Sequence, residues 1–292
     1  MKPLFFAVSL LLATSAAAQT PAPGPAPVEA PRKITASRII LVGDSTTAVQ
    51  GGWGPSFCAY RVTSFVACIN LARGGRSSGN YRVEGSWDIA LAEMKSGGFA
   101  KTYVLIQFGH NDQPGKPGRS TDLATEFPQN LKRYVEETRA AGAIPVLVTP
   151  LTRRIFKDGQ LVDDLGPWAE ATRKVARELN VPLIDLHARS RAEVIRLGPV
   201  DAMRFAQEPP APHIRDAAKS GTTVEASTPV PVPANATEEE RRNLTESMNR
   251  TKSAFDYTHI GREGADVFAE MVAEDLATVV PELKRGLVLK AK

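Results

Sequence analysis

Two cysteines and four histidines in 292 residues leave little material for a metal site, and no cluster of the two types has ligand spacing, so no metal is expected. The glycine-rich fingerprint that cradles a dinucleotide does not follow the first apolar run. A nicotinamide or flavin cofactor is therefore unsupported, and the expected cofactor set is empty. Neither charge sign dominates. Lys and Arg number 36 against 32 Asp and Glu, a formal net charge of +4, which is only a faint pointer to anionic partners such as pectic polysaccharide, nucleic acid or anionic lipid. No recognisable nucleic-acid module occurs, so nucleic acid is set aside.

What is present begins with a leader. Met1-Lys2, the apolar stretch Leu4–Leu12 and Ala16-Ala17-Ala18 form a positive start, a short apolar core and a small-residue cleavage site, the pattern of a signal peptide over residues 1–18. The apolar core is too short to span a bilayer, and no cysteine follows the cleavage site to carry a lipid, so no membrane anchor is expected. Export to the periplasm or the medium is the expectation. Residues 19–36 are rich in Pro and Ala and read as a disordered lead. Residues 37–292 suffice for one α/β domain with a full core.

The informative part lies at the ends of apolar runs. Gly43-Asp44-Ser45-Thr46 closes Arg38-Ile39-Ile40-Leu41-Val42 and puts a hydroxyl at the carboxyl end of a buried strand, the edge where ligands collect in open α/β sheets. Alone, that serine reads equally well as a helix cap. Three further blocks follow. Asn70-Leu71-Ala72-Arg73-Gly74-Gly75-Arg76-Ser77 ends a second apolar run, and Gly109-His110-Asn111-Asp112 ends a third. Asp256-Tyr257-Thr258-His259 precedes a C-terminal helix. Together they supply a hydroxyl, a base with a carboxylate three residues away, and hydrogen-bond donors on two other loops, which is the equipment of acyl transfer.

These four blocks, in this order and spacing, resemble the SGNH (GDSL-type) hydrolases. Gly52-Trp53-Gly54 close behind the first block, Gly75-Arg76-Ser77, Phe108-Gly109-His110-Asn111-Asp112 and Thr149-Pro150-Leu151-Thr152-Arg153-Arg154 are most similar to the rhamnogalacturonan acetylesterase-like carbohydrate esterases of that superfamily. Position by position, the resemblance implies Ser45 as nucleophile, His259 as base and Asp256 as its orienting acid. It implies an oxyanion hole made by the N–H groups of Ser45 and Gly75 with the Asn111 side chain. The chemistry agrees. A serine hydroxyl needs a neighbouring imidazole to become a nucleophile, a carboxylate on the other ring nitrogen stabilises the imidazolium, and glycine at 75 lets a backbone N–H approach without a Cβ in the way.

The remaining histidines are weaker candidates. His213 lies in a Pro-rich stretch, and His187 follows Ile184-Asp185-Leu186 in a structural setting. His110 and Asn111 point to opposite sides of an extended segment, so His110 is read as structural or substrate-facing. Asp44 and Asp112 are expected to hold their turns by bonding backbone. Arg76, Arg153 and Arg154 follow the second and fourth strands and are expected along the same edge, where guanidinium groups can grip a substrate carboxylate; loop salt bridges are the competing reading. Cys58 and Cys68 are read equally well as a disulfide or as two buried thiols.

Strand-like runs near 38–43, 65–70, 102–108, 143–149 and 181–186 alternate with helical patterns near 53–63, 87–96, 122–141, 165–180, 187–197 and 261–277. The expected fold is α/β: a three-layer flavodoxin-like sandwich around a central five-stranded parallel sheet, as the resemblance also implies. An insertion at about 198–252 departs from the family and carries a helix expected from Thr237 to Arg250 behind a Thr237-x-x-Glu240 capping box.

The leading expectation is a secreted serine esterase acting on an acetylated plant cell-wall polysaccharide, its expected partner. The alternative is a lipid-directed or general short-chain esterase of the same superfamily. A silent carbohydrate-binding module is disfavoured by the intact Ser45, Asn111, Asp256 and His259. The sequence leaves the sugar, the hydroxyl and the oligomeric state open.

Overall fold

A computed structural model describes residues 36–225, 237 and 254–290. The leader, the lead and the helix expected at 237–250 therefore fall outside the described residues, save Ala36 and Thr237.

Five strands form one parallel sheet: β1 (Ser37–Gly43), β2 (Val66–Asn70), β3 (Thr102–Gln107), β4 (Ile144–Val148) and, after a small hairpin of β5 (Phe156–Lys157) and β6 (Gln160–Leu161), β7 (Leu183–Ile184). Their spatial order is β2-β1-β3-β4-β7. The chain thus winds one way from β1 to β2 and the other way from β1 through β3, which places the topological switch point between β1 and β3.

The strands read as continuous apolar runs because both sheet faces are covered. Alternate residues enter separate cores. Ile39, Leu41, Tyr103, Leu105, Val146 and Val148 pack with Trp53, Phe57, Phe268, Val272 and Leu276. Those partners come from or adjoin α1 (Gly54–Tyr60) and the C-terminal helix α8 (Arg262–Val279). On the other face Ile40, Val42, Val104, Ile106 and Leu147 meet Trp87, Leu131, Tyr134 and Val175. Behind the short α2 (Asn80–Val83), these belong to α3 (Ser86–Lys95), α4 (Glu126–Ala140) and α5 (Gly166–Glu178). The result is the expected three-layer sandwich.

Two regions differ from expectation. The hairpin turns through Asp158 and Gly159, at φ 50° and 76°. Asp-Gly favours such a turn, but its two-residue arms offer no alternating pattern to read. The stretch from Gly198 onward is also less of a loop than expected. Helix α6 (Leu186–Asp201) kinks at Gly198, and a 3₁₀ turn, Ala202–Phe205, sinks Ala202 and Phe205 into the main core. Helix α7 (Pro212–Ala218) then packs Ile214 and Ala218 with Met203, Phe255 and Tyr257 in a small core of their own. That core lies directly under the Asp256–His259 segment.

Cys58 of α1 and Cys68 of β2 are joined in a disulfide, with Cα atoms 5.3 Å apart. The two open readings are thereby reduced to one. Its ends are 10 residues apart in sequence, and closing a loop of that size is worth roughly 2–3 kcal/mol in the chain-entropy account. Replacing both cysteines by alanine is expected to lower the unfolding free energy by about that amount. Urea melts of the two proteins read it directly, and coincident midpoints would contradict it.

Candidate active site

Ser45 stands two residues beyond β1, in the tight turn after the strand. Asp44 makes that turn. Its Oδ1 accepts from the Thr46 N–H (2.8 Å) and the Thr46 hydroxyl (2.7 Å), and its carbonyl accepts from Thr47 and Ala48. Below the turn, Gln107 at the end of β3 accepts from the Thr47 hydroxyl and from Trp53 Nε1 (2.8 Å). Its own Nε2 donates to the Thr149 carbonyl (3.1 Å). One amide side chain thus ties the Ser45 turn to the ends of β3 and β4. Ser45 itself is 9% exposed, and among the described residues its N–H and hydroxyl have no hydrogen-bond partner.

The second block wraps against this turn. Arg73 N–H donates to the Gly43 carbonyl (3.0 Å), and a Cβ on Gly74 would lie 3.8 Å from Ser45 Cβ. Gly75 follows at φ +76°, a conformation that suits glycine. Its N–H, like that of Ser45, has no partner among the described residues. Asn111 closes the group from the end of β3: its Nδ2 donates one proton to the Arg76 carbonyl at 3.1 Å and keeps the other free. Asp112 locks the loops behind it, accepting from Ser78 N–H (3.0 Å), the Ser78 hydroxyl (2.6 Å) and the Thr121 hydroxyl (2.9 Å). Burial pushes its carboxyl up to about 6 against those donors.

His259 enters from the far end of the chain. Its Nδ1 lies 2.6 Å from Asp256 Oδ2. Asp256 Oδ1 accepts from the N–H groups of Thr258 (2.7 Å) and His259 (2.6 Å). Partial burial would raise this carboxyl, but the bond to His259 and the two N–H donors outweigh it and hold Asp256 below the usual carboxylate range. An ionised carboxylate only accepts, so Nδ1 is the donor to it, and in a neutral imidazole that tautomer leaves the lone pair on Nε2. The imidazole packs on the loop behind Ser45: a Cβ on Gly51, at φ +81°, would come within 3.0 Å of His259 Cδ2, and Ile260 N–H donates to the Gly51 carbonyl (3.0 Å).

The arginines expected to face substrate are engaged elsewhere. Arg154 is 1% exposed, and it donates to the carbonyls of Asp256 (3.0 Å), His259 (2.7 Å) and Thr258 (3.4 Å). It is thus a clamp under the Asp256–His259 loop, not a substrate contact, and burial lowers its guanidinium to about 10. Arg153 reaches Asp164, Gln113 Oε1 (2.7 Å) and the Thr258 hydroxyl (3.0 Å), tying three loops together. Arg76 grips Glu84 with two hydrogen bonds, at 2.7 and 3.1 Å. For all three the loop-internal reading describes the contacts seen.

His110 is likewise not at the surface. It is 2% exposed, with Nδ1 3.4 Å from Asp44 Oδ2 beneath the Ser45 turn. Burial, only partly offset by Asp44, pushes the imidazole below its ordinary value. For Asp44, burial is outweighed by His110 and by the Thr46 donors, which hold the carboxyl low. His187 pairs with Asp163 at 2.8 Å, in a structural setting as expected.

The structure therefore brings Ser45, Gly75 and Asn111 to one edge of the sheet at the switch point, with the Asp256–His259 pair packed on the loop behind Ser45. Residues 41–203 match the GDSL-like Lipase/Acylhydrolase family, from inside β1 to the 3₁₀ turn after α6. The chain belongs to that family. It is a carboxylic ester hydrolase of the SGNH type. The matched span holds the first three blocks and stops short of Asp256 and His259. Among its relatives, rhamnogalacturonan acetylesterase RhgT of Bacillus subtilis is 37% identical over 176 residues, 58% of this chain and 72% of that protein. "Probable rhamnogalacturonan acetylesterase YesY" of the same organism is 36% identical over 164 residues, 54% of this chain and 73% of that protein. The crystal structure of the B. subtilis protein YxiM superposes with a TM-score of 0.55 at 22% identity, covering 84% of this chain and 57% of that one, a likeness of fold.

The sequence reading missed Lys116 and Arg119. Both lie on the loop Pro114–Ser120 after the third block, where two Pro-Gly breaks, Pro114-Gly115 and Pro117-Gly118, are each followed by a cation.

Proposed function

We propose that this chain is a serine esterase that removes acetyl groups from a plant cell-wall polysaccharide, rhamnogalacturonan or another pectin, through an acyl-enzyme intermediate. The observation that carries the reading is the set of three donors without acceptors among the described residues, Ser45 N–H, Gly75 N–H and one Asn111 Nδ2 proton, on loops at the same edge of the sheet, the Gly74–Gly75 turn lying against Ser45.

In this reading His259 Nε2 takes the Ser45 proton as Oγ attacks the acetyl carbonyl. The carbonyl oxygen becomes an oxyanion and is received by those three donors. Asp256 stabilises the imidazolium formed on the opposite side of the ring. The imidazolium then gives its proton to the departing sugar hydroxyl, leaving Ser45 acetylated. A water molecule, deprotonated by the same imidazole, attacks the acetyl-serine carbonyl. Collapse of the second tetrahedral intermediate releases acetate and returns the proton to Ser45.

The relatives support acetyl as the acyl group and pectin as the polymer. The cations Arg119 and Lys116, which bond to Gly75, Asn111 and His110 beside the site, support a polar substrate over a lipid one. The leader pattern supports export, as does the Cys58–Cys68 disulfide, because such bonds persist in oxidising compartments.

Acetate release from acetylated pectin and acetylated xylan, set against fatty-acid release from a long-chain lipid ester, tests the assignment. Acetylated pectin is expected to give the highest kcat/KM. A higher value on xylan would overturn the pectic part and leave the acetylesterase standing. A higher value on the lipid ester would overturn both.

A further inference from the structure

The loop Pro114–Ser120 is a built element, not a loose excursion. Lys116 N–H donates to the Ser120 hydroxyl (2.9 Å), and the Lys116 carbonyl accepts from the N–H groups of Arg119 (3.0 Å) and Ser120 (2.9 Å). At its far end Thr121 N–H donates to the Asp112 carbonyl (2.9 Å). This turn directs two cations at the oxyanion side of the site. Arg119 NH1 lies 3.5 Å from the Gly75 carbonyl, 3.5 Å from Asn111 Oδ1 and 3.6 Å from the position a Gly75 Cβ would take. Lys116 Nζ donates to the His110 carbonyl.

Neither cation has a carboxylate partner among the described residues. Two arginines on these loops do, Arg76 with Glu84 and Arg153 with Asp164, whereas Arg73 donates to the Ser86 hydroxyl and Arg154 to the carbonyls of residues 256, 258 and 259. Asp44, the other acid near Lys116, is fully buried under the Ser45 turn and bonded to Thr46. Three cations, Lys116, Arg119 and Arg153, therefore crowd a half-buried corner with one accessible acid, and that acid is already taken by Arg153. The strain shows in Lys116, whose ammonium is lowered to about 8 by burial first and then by Arg153 and Arg119. Arg119 engages only NH1, through long bonds, so NH2 and Nε remain for a planar anion.

We propose that Arg119 and Lys116 form a carboxylate subsite beside the acetyl site, which takes the carboxylate of a uronic acid residue in the polymer. This rests on the acetylesterase reading above and adds the residues that would select an acidic chain over a neutral one. Arg119 supplies the paired donors and Lys116 the point charge. An arriving carboxylate completes an ion pair in a site that already holds the cations together. The sequence reading had assigned this task to arginines that the fold uses for other contacts.

A rival role for Arg119 is positioning. Through Asn111 Oδ1 it could orient an oxyanion donor and affect every ester alike. A pair of substrates separates the two roles: acetylated polygalacturonate with free carboxylates, and the same polymer with its carboxylates methyl-esterified, with acetate release as the readout for both. At low salt the wild-type chain is expected to show a kcat/KM about tenfold higher on the free-carboxylate polymer. Arg119→Gln is expected to bring that ratio to about twofold or less, and Lys116→Gln to lower it about threefold. Arg119→Lys, which keeps the charge without the fork, should fall between wild type and Arg119→Gln. A ratio unchanged in Arg119→Gln, with both rates lowered together, would establish positioning and overturn the subsite. A wild-type ratio near one would overturn it as well. No acetate from either polymer would overturn the acetylesterase reading, and the subsite with it.

Discussion

Ser45→Ala and His259→Ala are each expected to reduce acetate release by about 10⁴-fold or more, to a rate near background. In the proposed mechanism the two residues form one proton-transfer unit. Without the hydroxyl, the imidazole has no nucleophile to activate; without the imidazole, the hydroxyl keeps its proton. The double variant should accordingly be no slower than either single one within error. Neither substitution removes a core side chain or a hydrogen bond that ties loops together in the case of Ser45, so its melting temperature should match the wild type. His259 differs, because it is the partner of Asp256, and some loosening of that loop is expected on its loss. Steady-state rates of the three variants, with a thermal melt of each, decide the matter. A double variant slowed by the product of the two single losses would mean that Ser45 and His259 act separately.

Asn111→Ala is expected to lower kcat by about 10²–10³-fold with KM changed by no more than about threefold. The amide is aimed in advance from two sides. Nδ2 donates to the Arg76 carbonyl and Oδ1 faces Arg119, so the free Nδ2 proton is presented without reorganisation. Its bond should strengthen as the ester carbonyl gains negative charge, and that differential places the loss in kcat. An effect confined to KM would make Asn111 a contact to the resting substrate. Because the side chain also steadies the Gly75–Arg76 loop, kinetics on a small activated acetate ester should show the same kcat loss as the polymer.

Much of this arrangement was readable from the chain. The first and third runs, Arg38–Val42 and Tyr103–Phe108, are apolar on both faces because they lie at the sheet centre, and a continuous run is an unambiguous sign of that position. The site blocks sit at strand ends, where local punctuation by Gly, Asp and Asn is strong. The legible part failed where contacts are long-range. Arg153 meets Thr258 across 105 positions and Arg154 meets His259 across the same distance, and no local pattern announces such partners. Strand β7 pairs through only two residues, Leu183 and Ile184, yet was located because its apolar neighbours extend the signal. For His110 the sequence leaves two readings open, structural or substrate-facing, because alternation along an extended segment separates it from Asn111 but cannot say that its side lies over Asp44, where the structural reading holds.

The clamp formed by Arg154 has a bearing on how this site can be altered. It addresses the loop entirely through carbonyl oxygens, those of residues 256, 258 and 259, and so is indifferent to which side chains the loop bears at its tip. What it does sense is the number of peptide units between the acid and the base. Position 258 is accordingly open to diversification in a library, with the loss of one Arg153 contact as the main penalty, whereas an insertion or deletion between 256 and 259 would shift the carbonyls out of register with a single rigid guanidinium. The template is tolerant of spelling and strict about length.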